Sequence, residues 1–447
     1  MNRKLGLLIC AVSLLLSISL AVVVMPFYSE EDAAGVINAG INESGELILT
    51  YSNGEKQNLG VVVGQNGTDG TEGLNGINGS DGVLTITSSG SSTPAAVSKG
   101  LRSAVSILCK FQVTTQSGSF LKPSTTTKEY SSAGSGVIYQ LDKSSGDAFI
   151  ITNYHVVYNA SSNAQDGISD DINVYLYGEE FKERAIKATY VGGSLYYDIA
   201  VLRIENSDIL KISSACAVTI SNSNDVIVGD DAIAIGNAQG LGISSTSGIV
   251  SVDSEYITMT AADDKTEVTF RVMRVDTAIN SGNSGGGLYN DEGNLIGIVN
   301  AKIIHDGVEN IGYAIPSNIA ISVADNIIDH CYGTSDKRLK QASLGFTVSI
   351  TDSKAVYNSS TGITTIVEKV KISDITSGSL ASGVLQTGDI IVSIELNSDI
   401  TMVTRKHHVN DMILDLRVGD TVTFSILRGG EEKSVSITVT SGCMTEH

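Results

Sequence analysis

Three side chains in this 447-residue sequence could together cut an acyl bond. They are His155 in Thr152-Asn153-Tyr154-His155-Val156-Val157, Asp198 in Tyr197-Asp198-Ile199-Ala200-Val201-Leu202, and Ser284 in Gly282-Asn283-Ser284-Gly285-Gly286. A serine hydroxyl is a weak nucleophile, so His155 must take its proton during attack and return it to the leaving amine. Asp198 would orient the imidazole and stabilise its cation. Charge that builds on the substrate carbonyl oxygen needs fixed donors, and the Gly282-Asn283-Ser284 turn offers them, above all the N–H groups of Gly282 and Ser284. Glycine there lets the backbone turn and approach closely. A lone His or Asp beside a strand is more often structural than catalytic; three in one order, each beside an apolar or glycine-rich run, are not.

The order His, Asp, Ser decides between two folds. The glycine stretch also satisfies G-x-S-x-G, the nucleophile elbow of α/β-hydrolases, in which an acid and then a histidine follow the serine. Asp306 and His330 could nominally take those places. An elbow runs from a strand into a helix, whereas Ser284 is followed by three glycines and the strand-like Leu295-Ile296-Gly297-Ile298-Val299. The chymotrypsin arrangement fits instead.

Several further segments match one family as a set: Gly134-Ser135-Gly136-Val137-Ile138, Ala234-Ile235-Gly236-Asn237, Gly248-Ile249-Val250-Ser251, Asp276-Thr277-Ala278-Ile279-Asn280 running into Ser284, and Ile311-Gly312-Tyr313-Ala314-Ile315-Pro316-Ser317. Over about residues 100–325 the chain resembles an HtrA/DegP-type serine protease. It departs from the family pattern at Ala238, Ser281 and Gly287, where proline is usual. Loss of proline loosens a loop without removing a catalytic group, so a less rigid oxyanion loop is expected. The resemblance also implies a homotrimer, and no cofactor is expected.

Asn280 and Ser281 before the nucleophile, with Asn300 and Ala301 after the following strand, are the candidate walls of the primary specificity pocket. None is acidic, which predicts a small or apolar residue before the cut rather than Lys or Arg. With 49 acidic and 29 basic residues the net charge is -20. This argues against nucleic acid or anionic lipid surfaces as the main partner, since both favour a basic face.

Arg3 and Lys4 precede a nearly uncharged run from Leu5 to Phe27, long enough to cross a hydrocarbon core of ~30 Å. The positive-inside rule then puts everything after Glu30 outside the cytoplasm. A cleaved signal peptide is the alternative, but its apolar core would be about 7 to 15 residues long and end at a small-x-small site, which Val22-Val23-Val24-Met25-Pro26 does not supply. Next, Glu46–Tyr51 and a run ending at Val63 read as a hairpin about Asn53-Gly54. Glycine then recurs at every third position from Gly64 to Gly82, the collagen period, yet without proline. A flexible spacer is preferred to a triple helix. As a coil, residues 64–99 would reach roughly 30 to 36 Å.

Beyond a helical pattern over Ala320–Cys331, a third region resembles a PDZ domain of the HtrA type. The match lies in Ser343-Leu344-Gly345-Phe346, in Ser379 through Gly388-Asp389-Ile390-Ile391, and in Val418-Gly419-Asp420-Thr421-Val422. Such a domain adds a peptide C-terminus as a strand, and Leu344, Gly345 and Phe346 would receive its carboxylate. The cysteines show no metal spacing; Cys109 and Cys216 read as buried small hydrophobes, and His330, His407 and His408 as loop residues.

The expected layout is a membrane anchor over 1–28, a hairpin and linker over 29–99, a chymotrypsin-like double β-barrel protease over 100–330, a linker over 331–342 and a PDZ domain over 343–442. The fold class is mainly β, with an N-terminal transmembrane helix. The function this predicts is a membrane-anchored endopeptidase that degrades misfolded exported proteins, its PDZ domain recruiting substrate or gating access. The rival is a catalytically silent surface scaffold that binds peptides with the same groove and PDZ domain.

Overall fold

The computed structural model describes residues 36–41, 44, 46–61, 93–119, 122–164, 166–179, 184–303 and 310–446. The expected anchor over 1–28 and the Gly-x-y tract lie outside them, and among the described residues no helix is long and apolar enough to cross a membrane.

The N-terminal unit holds a three-stranded antiparallel sheet of β1 (Val36–Ile41), β2 (Glu46–Tyr51) and β3 (Lys56–Val61). The expected hairpin is β2–β3, in which Thr50 faces Lys56 and Gly54 takes φ +85 at the turn. Asn53 accepts the Glu55 N–H through Oδ1, an Asx-type turn.

Two closed six-stranded barrels follow. The first is built from β4 (Ala104–Ser119), β5 (Lys122–Asp142), β6 (Asp147–Thr152), β7 (Asp171–Leu176), β8 (Ile186–Ser194) and β9 (Ile199–Ile204). The second comprises β10 (Asp231–Gly236), β11 (Ser244–Thr260), β12 (Glu267–Val275), β13 (Gly287–Tyr289), β14 (Leu295–Val299) and β15 (Gly312–Pro316). Strand alternation divides their apolar residues between separate cores. In β10, Ala232 and Ala234 fill the second barrel while Ile233 and Ile235 face the cluster shared with Val137, Ile151 and Val201 of the first. The catalytic candidates come from either side of this shared seam.

Helix α1 (Thr93–Leu101) begins inside the segment expected as linker and runs across its end at 99, with Ala96 and Gly100 buried. Gly100 lies so close to Ile235 that a Cβ there would stand 2.6 Å from Cδ1. Three further helices are α2 (Tyr154–Val157), α3 (Asp208–Ile212) and α4 (Ser317–Cys331). The last, anticipated from its spacing, buries Ile319, Val323 and Ile327 in the shared cluster.

The C-terminal sheet runs β17 (Phe346–Asn358), β18 (Ile363–Ile375), β19 (Ile390–Leu396), β21 (Thr421–Arg428), β22 (Glu431–Thr438), with β20 (Asp399–Met402) paired to β19. A separate ribbon joins β16 (Lys340–Ala342) to β23 (Met444–Glu446). Helix α5 (Lys406–Asp415) meets the second barrel: Arg271 of β12 pairs with Asp411 at 2.5 Å, and Arg405 with Asp253 at 2.6 Å.

The three histidines expected on loops are on helices, His330 on α4 and His407 and His408 on α5. His407 is 5% exposed. Burial, then the charges of Arg271, His408 and Arg405, hold its imidazole far below its ordinary value of 6.5. The sign follows: the unfolded chain takes up a proton that the docked helix refuses, so stability is complete above about pH 6.5 and is lost as the pH falls. Hydrogen exchange across residues 405–415, corrected for intrinsic rates, should therefore accelerate several-fold between pH 7.5 and 5. Unchanged protection at pH 5 would contradict this. Asp253 and Glu368 face Arg405, and Asp411, whose carboxyl is pushed up by burial, faces Arg271.

The described cysteines are all free. Cys109 is fully buried as expected, whereas Cys216 is only half-buried.

Candidate active site

His155 was expected in or beside a strand, and the structure puts it one turn beyond one. Strand β6 ends at Thr152 and the single turn α2 carries the imidazole. Asp198 explains the turn. Its carbonyl accepts the Tyr154 N–H (3.1 Å) and the Asn153 Nδ2–H (2.9 Å), and its Oδ1 accepts the His155 N–H (2.9 Å). Oδ2 then meets His155 Nδ1 at 2.7 Å. Asp198 adopts φ +52, a region that costs a non-glycine residue of order 1–3 kcal/mol. The four bonds oppose that cost.

Asn300 completes the carboxylate. Expected as a pocket wall, it is instead fully buried, donates Nδ2–H to Asp198 Oδ2 at 2.8 Å and accepts the Lys302 N–H through Oδ1 at 3.1 Å. Asp198 Oδ2 thus has two donors and Oδ1 one, which fixes Nδ1 of His155 as the protonated nitrogen. Tyr154, the chain neighbour of His155, packs its ring against Tyr158 and Tyr190 and stays neutral because burial and then Tyr158 push its phenol up to about 12.

Ser284 is 4% exposed and lies across the seam from this pair. Its Oγ accepts the Ala301 N–H at 3.2 Å, and among the described residues no hydrogen bond joins it to His155. The loop that holds it is tied at every carbonyl from 281 to 284. Ser281 O accepts from Gln239 N–H (2.7 Å), Gly282 O from Ser135 Oγ–H (2.7 Å), Asn283 O from Gly286 N–H (2.9 Å) and Ser284 O from Ser135 N–H (2.8 Å). Of the three N–H groups expected as oxyanion donors, that of Asn283 is taken by Asn280 O at 3.0 Å. Those of Gly282 and Ser284 have no partner among the described residues. Peptide planarity turns each away from the carbonyl held behind it. Gly282 reaches φ +94, and a Cβ there would stand 2.3 Å from Asn237 O.

The missing prolines read differently in three dimensions. Gly287 sits in β13, paired with Ile235 and Ile298, and a Cβ there would lie 2.5 Å from the buried Tyr289 ring. The ring takes the space that a proline would need. Ser281 and the turn after Ala238 are joined by the Gln239 bond, so both sites are crosslinked rather than slack. Asn280 and Ser281 are exposed at the loop surface, and Ala301 is half-buried against Ser284.

In the C-terminal domain, Leu344 is buried and its carbonyl accepts from Ala381 N–H (3.0 Å); Gly345, at φ +80, accepts from Thr376 N–H (2.8 Å). Phe346 opens β17, which pairs with β18 alone among the described strands, and its ring packs edge-on to Phe424 at 5.8 Å. An inward-turned carbonyl loop beside a free strand edge is suited to receive an extended chain.

Sequence reasoning gave no role to Ser135, Asn237, Gln239 or Thr152. The available signal was Gly134-Ser135-Gly136, a polar residue between two glycines at the start of an apolar stretch of strand.

A family model described as a trypsin-like peptidase domain matches residues 134–298, and one described as a PDZ domain matches 342–439. The chain is similar to Serine protease Do-like HtrA of Bacillus subtilis (strain 168), with 33% identity over 362 residues, covering 78% of this chain and 73% of that protein. The same-named protein of Lactococcus lactis subsp. lactis (strain IL1403) is 31% identical, with coverages of 70% and 72%. Periplasmic serine endoprotease DegP of Escherichia coli (strain K12) is 31% identical, with coverages of 69% and 57%. A solved structure, HtrA-type protease AlgW with tripeptide, aligns at 25% identity and a TM-score of 0.47, covering 79% of this chain and 97% of that one.

Proposed function

The chain belongs to the HtrA family of serine proteases, and from that premise we propose that it is an extracytoplasmic endopeptidase using His155, Asp198 and Ser284 on non-native exported polypeptides. That it is a serine endopeptidase follows from the family. The identity of its triad, its anchoring through residues 1–28, its substrates and a trimeric assembly are the proposal, as is the layout of linker, protease (100–330) and PDZ domain (343–442).

The observation that carries the triad is the junction of two held halves: an imidazole fixed by Asp198, and a serine flanked by two N–H groups without a partner among the described residues. With Nδ1–H on Asp198, the lone pair of the neutral imidazole is at Nε2. Ser284 Oγ bonds to the substrate carbonyl carbon as its proton passes to Nε2, and the oxygen that becomes negative is met by the Gly282 and Ser284 N–H groups. The amine then leaves with the proton from Nε2. Water repeats the two steps and frees Ser284. The Ala301 N–H uses a serine lone pair only, so the hydroxyl proton stays available. Peptide strand addition at Leu344-Gly345-Phe346 and β17 would bring chain ends to the enzyme.

Labelling of the full chain by a fluorophosphonate probe, alone and with a C-terminal peptide, tests this reading. Labelling with accompanying casein cleavage is the expected result. Absence of both under either condition would replace the enzyme with the peptide-binding scaffold.

A further inference from the structure

We propose that Ser135 is a positioning residue of the oxyanion hole: its hydroxyl, reaching from the first barrel, fixes the peptide plane that links the two hole donors. The inference rests on Ser284 being the nucleophile.

Three consecutive peptide planes make the hole. The outer two carry the Gly282 and Ser284 N–H groups, and their carbonyls, Ser281 O and Asn283 O, are held by Gln239 and Gly286 of the second barrel's own loops. The central plane, between Gly282 and Asn283, has its carbonyl on Ser135 Oγ at 2.7 Å. That oxygen in turn accepts the Asn237 N–H at 2.7 Å, so one buried hydroxyl joins two loops of the second barrel to a strand of the first.

The tie continues toward the imidazole. Ser135 N–H donates to Ser284 O at 2.8 Å, and Ser135 O accepts from Thr152 Oγ–H at 2.7 Å. The next residue, Asn153, holds the Asp198 carbonyl. Ser135 therefore sets the hole and the His155–Asp198 pair in one frame, although it touches neither substrate nor any of their reacting atoms.

The N–H end of this plane is held by Asn280 O at 3.0 Å, but its carbonyl end follows Gly282, which at φ +94 has no side chain to hold its rotation and so depends on the Ser135 hydroxyl. Without the hydroxyl, Gly282 O and Asn237 N–H are left buried and unpaired, a state that drives the backbone to rearrange. Rotation of the central plane relieves it and spreads the two donors apart. Glycine at two neighbouring positions leaves room for this side chain: a Cβ on Gly236 would stand 2.8 Å from Ser135 Oγ, and one on Gly286 3.2 Å from Ser135 Cβ.

The test is Ser135→Ala in the full chain with a fluorogenic peptide. The expected result is a kcat lower by about tenfold to hundredfold, smaller than the roughly hundredfold to thousandfold loss when a hole donor is itself removed because both donors remain, with KM within about threefold. Affinity for a peptide boronate, which forms a tetrahedral adduct on the serine, should fall in step with kcat. The acid limb of the pH profile should not move, because the His155–Asp198 pair is untouched. Ser135→Cys, which keeps a weaker donor and acceptor, should recover part of kcat and carries the test if the alanine variant does not fold. An unchanged kcat, or a lowered kcat with unchanged boronate affinity, overturns the inference. Wild-type chain that neither labels nor cleaves overturns the protease reading itself.

Discussion

Peptide cleavage by the Ser284→Ala chain falls by about a millionfold in kcat, with the fold intact. The size follows from the triad acting as a unit: once the nucleophile is gone, the imidazole has no proton to take and only the hole and binding remain. The fold survives because, among the described residues, the hydroxyl bonds only with the Ala301 N–H, a neutral contact worth about 1 kcal/mol. Casein digestion and fluorophosphonate labelling should both vanish while the unfolding midpoint stays within a few degrees. Equal cleavage by both proteins would remove Ser284 from the mechanism.

Asp198→Asn should be nearly as severe, about ten-thousandfold in kcat with little change in KM, the loss found when the same substitution is made in a trypsin-type triad. The carboxylate accepts three bonds, from His155 N–H, His155 Nδ1–H and Asn300 Nδ2–H. An amide has one acceptor oxygen and a donor nitrogen, so it cannot take all three. If its nitrogen faces Nδ1, the ring proton must move to Nε2, where the serine proton has to go. If its nitrogen faces the His155 N–H instead, two donors collide and the α2 turn is disturbed. A kcat within tenfold of wild type would mean that Asp198 does not set the tautomer.

Much of the site was legible because local chemistry had to be written locally. A glycine on each side of Ser284, an apolar run after Asp198 and a turn-forming Asn before His155 each serve a short-range need. The PDZ loop was readable for the same reason, since Gly345 has to take a positive φ. Asn300 was misplaced as a pocket wall, because nothing in Val299-Asn300-Ala301 reveals that the amide faces Asp198, 102 residues away. Helix α1 was missed because its burial depends on Ile235 and Tyr289, not on a strong pattern of its own. The histidines of α5 were read as loop residues because the burial of His407 comes from the tertiary packing of the helix, not from a pattern in its neighbouring residues.

The sequence by itself determined the reaction type and the fold class. Residue order excluded the elbow fold and fitted the chymotrypsin arrangement, because each fold fixes the order in which its catalytic residues follow one another. Only the tertiary structure decided which donors are free to meet the oxyanion. Three missing prolines predicted a slack loop, but carbonyls 281 to 284 are all held, two of them by Ser135, and Tyr289 fills the place at Gly287. Hydrogen bonds across the seam and the volume of a buried ring are long-range quantities, and no local pattern of residues encodes them.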